Sequence, residues 1–194
     1  MIWIIQRLSS LRSHSPVGVA QLWVVRPMKM TTHQVSVAAE AFAACLFAQA
    51  GCDVLIQYGA NQPDYDFVAM RNSKSVRISV KGSQTTGWGL IQRYKKGRGY
   101  HEAADAWLRD QPKDVVFCLV AFNKVHDYSP PRCYLASARE IAKHHKSARF
   151  GAGHTTIWED ETPSRGIGKG HRYMIPDEWK FSPKRVDEIL RKKA

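Results

Sequence analysis

Acidic residues are scarce in this sequence. Seventeen Asp and Glu stand against 29 Lys and Arg over 194 residues, a formal charge of +12, and none of the acids precedes Glu40. Such an excess disfavours cationic partners and points to a polyanion, of which nucleic acid is the commonest. Cysteine is also thin. Cys45, Cys52, Cys118 and Cys133 are widely scattered and form no C-x-x-C pair, which argues against a secreted disulfide scaffold. They read as small apolar fillers in a reducing compartment. No apolar run approaches the roughly 18–20 residues needed to cross a bilayer, so a soluble, cytoplasmic protein is expected. Internal repeats and a second domain are missing as well. With 44% hydrophobic residues, the chain is long enough to bury a core without staples.

Residues 1–30 differ from the rest. Apolar patches at Ile2–Ile5 and Leu22–Val25 are separated by Arg, Ser, Pro and Gly, with no sustained period of 2 or 3.6. Three readings compete: an organellar transit peptide, a membrane-surface anchor, or a mis-assigned extension with translation starting at Met28 or Met30. The third is favoured, because Met30-Thr31-Thr32 leads directly into a capped helix. The intact mass of the native protein tests it, since a mass that includes residues 1–29 rules it out. Residues 31–194 are expected to form one domain.

Thr31 or Thr32 can cap a helix over 34–50, closed by Gly51. Strands are expected at 53–58 and 65–70, then a polar turn at Arg71-Asn72-Ser73-Lys74 and a return strand at 75–81. Residues 82–100 are glycine-rich and basic and read as a surface loop. A helix over 101–109 follows, and the unbroken apolar run 115–122 reads as a buried central strand. Beyond lie a short strand near 133–135, a helix over 137–145, late strands near Trp158 and 173–175, and a terminal helix over 184–193.

This order places chemistry-bearing groups together. Phosphodiester hydrolysis needs carboxylates to hold a divalent metal and a cation to assist water and stabilise charge. Asp66 opens one strand and Lys81 closes its hairpin partner, so an antiparallel pairing brings them side by side. Glu40 is the only charged residue between Gln34 and Ala50. On a helix apolar nearly all round it is expected to be largely buried, where a carboxylate is costly unless paired with a cation or metal. The alternative is a Glu40 that faces solvent or pairs with a structural Arg or Lys.

These pieces resemble the PD-(D/E)XK, or restriction-endonuclease-like, nuclease superfamily. The resemblance rests on Glu40 in the first helix, Pro63-Asp64-Tyr65-Asp66 before the second strand, and Ser79-Val80-Lys81-Gly82-Ser83 at the end of the third. It covers about residues 34–122 and implies an α/β fold with an αβββαβ core, a mixed central sheet flanked by helices, and a C-terminal elaboration over 123–194. Carried over, Asp66 is the principal metal ligand, Lys81 the catalytic lysine and Glu40 an accessory ligand, with the Val80 carbonyl facing the metal. Mg²⁺ or Mn²⁺ is the implied cofactor, DNA the implied substrate, and a homodimer is allowed.

One departure matters. Ser79 stands where the family carries an acidic residue, which removes a charged oxygen ligand. Asp64 is an alternative to Asp66, or shares its work if both lie on one strand face. Downstream, Arg93, Lys95, Lys96 and Arg98 are interleaved with Trp88 and Tyr94, a pattern suited to phosphates and unpaired bases. The opposing reading is a solvated basic loop whose Trp88 tucks into the core. His144, His145, His154 and His171 with Cys133 match no zinc spacing, and 166–170 lacks the spacing of a phosphate loop. Asp105 and Trp107 are assigned to packing and capping. The expectation is a metal-dependent DNA endonuclease, or else a nucleic-acid-binding module of the same fold that has lost catalysis through Ser79.

Overall fold

A computed structural model of the protein describes residues 29–56, 64–85, 87–123, 125, 130–159 and 174–192. The expectations for 1–28, for the end of the first strand, and for His171 and the 166–170 segment lie outside them. Helix α1 spans Thr32–Gln49 and starts with a capping box. The Gln34 N–H donates to the Thr31 hydroxyl, and the Gln34 side chain accepts from the Thr31 N–H. Its buried residues, Val35, Ala39, Ala43 and Phe47, recur every four positions and form one stripe.

Strands β1 (Asp53–Ile56), β2 (Phe67–Arg71) and β3 (Lys74–Ser83) form an antiparallel meander. The polar turn is a tight hairpin: Arg71 pairs with Lys74, and Asn72 and Ser73 have φ of 50° and 61°, as a two-residue primed turn demands. A two-residue strand, β4 (Gly87–Trp88), and a 3-10 turn over Gln92–Lys95 lead into α2 (Tyr100–Arg109). The basic stretch 82–100 is therefore not the plain loop expected. β5 (Val115–Ala121) runs parallel to β3, and β6 (Arg132–Ser137) is antiparallel to β5. The five-stranded mixed sheet has the order β1-β2-β3-β5-β6. Helix α3 (Ala138–Ser147), the short β7 (Ile157–Trp158) paired to β4, and α4 (Pro183–Lys192) complete the described elements.

Helices flank both sides of the sheet. On one face α1 and α4 pack Ala43, Phe47, Val186 and Ile189 onto Phe67, Ile78 and Cys118. On the other, α2 and α3 pack Ala104, Trp107 and Ile141 onto Phe117, Leu119 and Ala136. β5 serves both cores and is buried at every position, which explains its unbroken apolar run. The mixed α/β architecture and the αβββαβ order are as expected. The thiols of Cys118 and Cys133 meet inside the first core, 3.1 Å apart.

Candidate active site

β2 begins one residue after Asp66, while β3 continues five residues beyond Ile78, the partner of Phe67. The edge of β3 is thus left open beside Asp66. There the Asp66 N–H donates to the Ile78 carbonyl at 2.8 Å, and its carboxylate accepts from the Val80 N–H at 2.5 Å. An oxygen held by a main-chain amide is oriented without a mobile partner, and the second oxygen stays available. In an extended strand the N–H and C=O of one residue leave the same edge, so the Val80 carbonyl faces Asp66 too.

Asp66, Ser79 and Lys81 line one cleft of about 740 Å³, with Trp107 and Phe117 on its apolar side. Ser79 and Lys81 share a strand face by alternation; Ser79 is buried and Lys81 exposed. Asp64 lines the cleft as well, but it precedes β2 and has a φ of 71°. The shared-face argument for Asp64 and Asp66 therefore fails, because strand alternation does not reach Asp64.

Glu40 requires a correction. It is exposed, since the stripe from Val35 to Phe47 turns its side away from the core. It nevertheless feels the site. Partial burial of its carboxyl, and then the negative charge of Asp66, raise its proton affinity, while Lys81 and His33 oppose the rise. The closeness of α1 to β3 has a local cause. A Cβ on Gly82 would lie 2.7 Å from Val35 Cγ1 and 2.9 Å from Ala39 Cβ, so only glycine lets the helix seat beside Lys81. The chain entering α1 is tied to the same strand end, where the Gln84 amide exchanges hydrogen bonds of 2.6 and 2.7 Å with the Met30 main chain.

Trp88 is the second correction. It is buried rather than offered to bases, because its ring packs edge-on to Tyr134 at 6.3 Å and its indole N–H donates to the Lys81 carbonyl at 2.8 Å. It holds the backbone of the lysine. Of the basic residues beyond it, Arg93 lines the cleft and Lys96 is exposed. Lys95 sits 4.8 Å from the Tyr100 ring centre and donates to the Arg98 carbonyl, and Arg98 donates to the Tyr94 carbonyl at 3.3 Å. The segment is a braced basic rim.

Sequence reasoning missed the support behind Trp88. Glu159 is buried and accepts from Arg132 at 2.6 and 2.7 Å and from the Tyr134 hydroxyl at 2.8 Å. Burial pushes its carboxyl up, but the bonds from Arg132 and Tyr134 outweigh it and hold the group below its ordinary range. Burial, and then the bond to Glu159, push the Tyr134 phenol up. No spacing in the sequence marks this set. Gln111 and Pro112, which also line the cleft, carry no signal either. Trp107 packs as expected, whereas Asp105 pairs with Lys146 of α3 rather than capping a helix.

The Asp66 carboxylate and the Val80 carbonyl meet at one strand edge as hard oxygens, the donor type Mg²⁺ or Mn²⁺ takes, while Glu40 does not line the cleft and is linked to them through charge. Among the described residues no group of three or more His, Cys, Asp or Glu side chains converges as a metal site. Nor is any described helix long and apolar enough to cross a membrane.

No protein-family model matches the chain, and no curated protein matches it. Among solved structures it is similar to a bacterial homing endonuclease, I-Ssp6803I. The identity is 18% and the TM-score 0.44, over 85% of this chain and 95% of that one.

Proposed function

We propose that this protein is a metal-dependent nuclease of the PD-(D/E)XK kind that hydrolyses DNA phosphodiester bonds. The observation that carries the proposal is the bond from the Val80 N–H to the Asp66 carboxylate, one residue from Lys81, at the open edge of β3. Asp66, Glu40 and the Val80 carbonyl would hold Mg²⁺ or Mn²⁺, which when bound supplies Lewis acidity at the phosphate. The Lys81 ammonium reaches into the cleft from a backbone braced by Trp88, where it orients the attacking water and offsets charge developing on the phosphate. The apolar side made by Trp107 and Phe117 limits water access and strengthens those electrostatic effects. Arg93 and the braced rim beyond it meet the substrate backbone.

A second reading has its own observation. Ser79 sits buried in the cleft where a further carboxylate would strengthen metal binding. A protein that binds DNA without cutting it would keep everything else. DNA cleavage by the full chain with Mg²⁺ or Mn²⁺, on single-stranded, duplex and branched substrates, separates the two. Cleavage by wild type, and a loss of about a hundredfold or more in both Asp66→Ala and Lys81→Ala, is expected. Salt-dependent binding with no cleavage of any form establishes the binding module instead.

A further inference from the structure

The cleft continues beyond its own rim. Gln111 and Pro112, in the turn between α2 and β5, line it and also line a second groove of about 650 Å³. That groove carries Arg109, Lys113, Arg139 and Lys192 and, among the described residues, no acidic side chain. Through Leu108 and Arg139 it joins a third depression that holds Lys143 and Lys146. Three hollows that share lining residues thus run from the Lys81 cleft to the groove between α2 and α3.

Not every cation along this path is committed elsewhere. Lys146 pairs with Asp105, and Lys192 lies 3.6 Å from Glu140. Arg109, Arg139 and Lys143 are exposed and form no ion pair among the described residues. Arg139 also stands in the first turn of α3, where the helix dipole disfavours a cation. Helix stability therefore gives no reason for a cation there.

The rest of the lining says which anion. Between the cations lie Leu108, Pro112, Ala138 and Ala142, with no aromatic ring among the described residues of the second or third hollow. Unpaired bases are held by stacking on aromatic faces, whereas a duplex presents phosphates, which cations neutralise. We propose that Arg109, Arg139 and Lys143 form a track for the backbone of duplex DNA flanking the bond in the cleft. The inference rests on the nuclease reading and extends it: the substrate is a duplex longer than the cleft accommodates.

The test measures binding of the full chain to labelled duplexes of about 30 and about 10 base pairs over a range of salt. A chelator is present so that nothing is cut. The triple variant R109Q/R139Q/K143Q is compared with wild type and with the charge-keeping R109K/R139K. On the long duplex, the slope of log affinity against log salt should fall by about 2 to 3 in the triple variant, at roughly 0.9 per lost phosphate contact. The short duplex and the charge-keeping variant should match wild type. An unchanged slope on the long duplex overturns the track and leaves the nuclease reading standing. Equal losses on both lengths also overturn it, because they report a general field and not a path. An effect on a polyglutamate probe, with none on DNA, assigns the patch to an acidic protein partner instead. Absence of salt-dependent DNA binding by wild type overturns the track, and the nuclease reading is then judged separately by cleavage with Mg²⁺ or Mn²⁺.

Discussion

At the scale of single residues, the site is organised by its backbone. The Asp66 carboxylate is held by a main-chain N–H, and the Lys81 backbone by the indole N–H of the buried Trp88, so the carboxylate is placed without a mobile side-chain partner. Glu40 joins them through charge. Because the Asp66 carboxylate helps raise the proton affinity of Glu40, neutralising it in Asp66→Asn should shift the Glu40 titration to lower pH. Side-chain carboxyl NMR reads this without reference to activity. A Glu40 titration identical in the two proteins would place the carboxylates outside each other's field, and Glu40 outside the site.

Among elements, the decisive contact is α1 against the end of β3. A methyl group at position 82 would press on Val35 Cγ1, on Ala39 Cβ and, at 2.9 Å, on the Val35 carbonyl. The carbonyl belongs to the helix backbone and cannot turn aside, so the whole of α1 must move. Gly82→Ala should cost about 1–3 kcal/mol, the range for overpacking a filled interior, read from urea unfolding. Wild-type stability in that variant would mean α1 has slack and does not fix Glu40. Helix α4, on the same face as α1, is braced in a different way. Arg185 of α4 is buried and donates to the Leu135 carbonyl and to Glu140, which also caps α3. That one side chain ties α4 to the sheet and to α3.

At the scale of the whole molecule, two buried imidazoles link stability to pH. Burial pushes His145 down to about 3, helped by the charges of His144 and His154 against the bond to the His154 carbonyl. Burial likewise pushes His144 down to about 4, against the pull of Glu178. Both are neutral in the fold, while in the unfolded chain they take up protons near 6.5. Their contribution is therefore complete above about pH 6.5 and lost progressively as the pH falls towards the folded values. The urea midpoint should be lower at about pH 5 than at about pH 8. In His145→Asn, whose amide can keep the bond to the His154 carbonyl, that difference should shrink. An unchanged difference would show that other groups carry the acid sensitivity.

Much of the fold is local enough to be written in the sequence. The Thr31–Gln34 capping box, the Asn72–Ser73 turn and the all-apolar run of β5 depend on neighbours a few residues away, and each lies close to where the pattern puts it. Asp66 and Lys81 were legible for the same reason, since a hairpin of known turn converts sequence order into proximity. Other features depend on contacts between distant segments. Glu40 is exposed, because composition says how apolar α1 is but not which stripe meets the sheet. Trp88 is buried, because a tryptophan in a basic stretch goes wherever a cavity and an acceptor await it, here Tyr134 and the Lys81 carbonyl. The Glu159–Arg132–Tyr134 set and the cationic path from Gln111 to Lys143 join residues that no local period connects. The sequence by itself thus determined the order of elements and the pair at the open strand edge. Only the tertiary structure decided which side chains face that edge and what surface surrounds it, because packing between distant segments sets both.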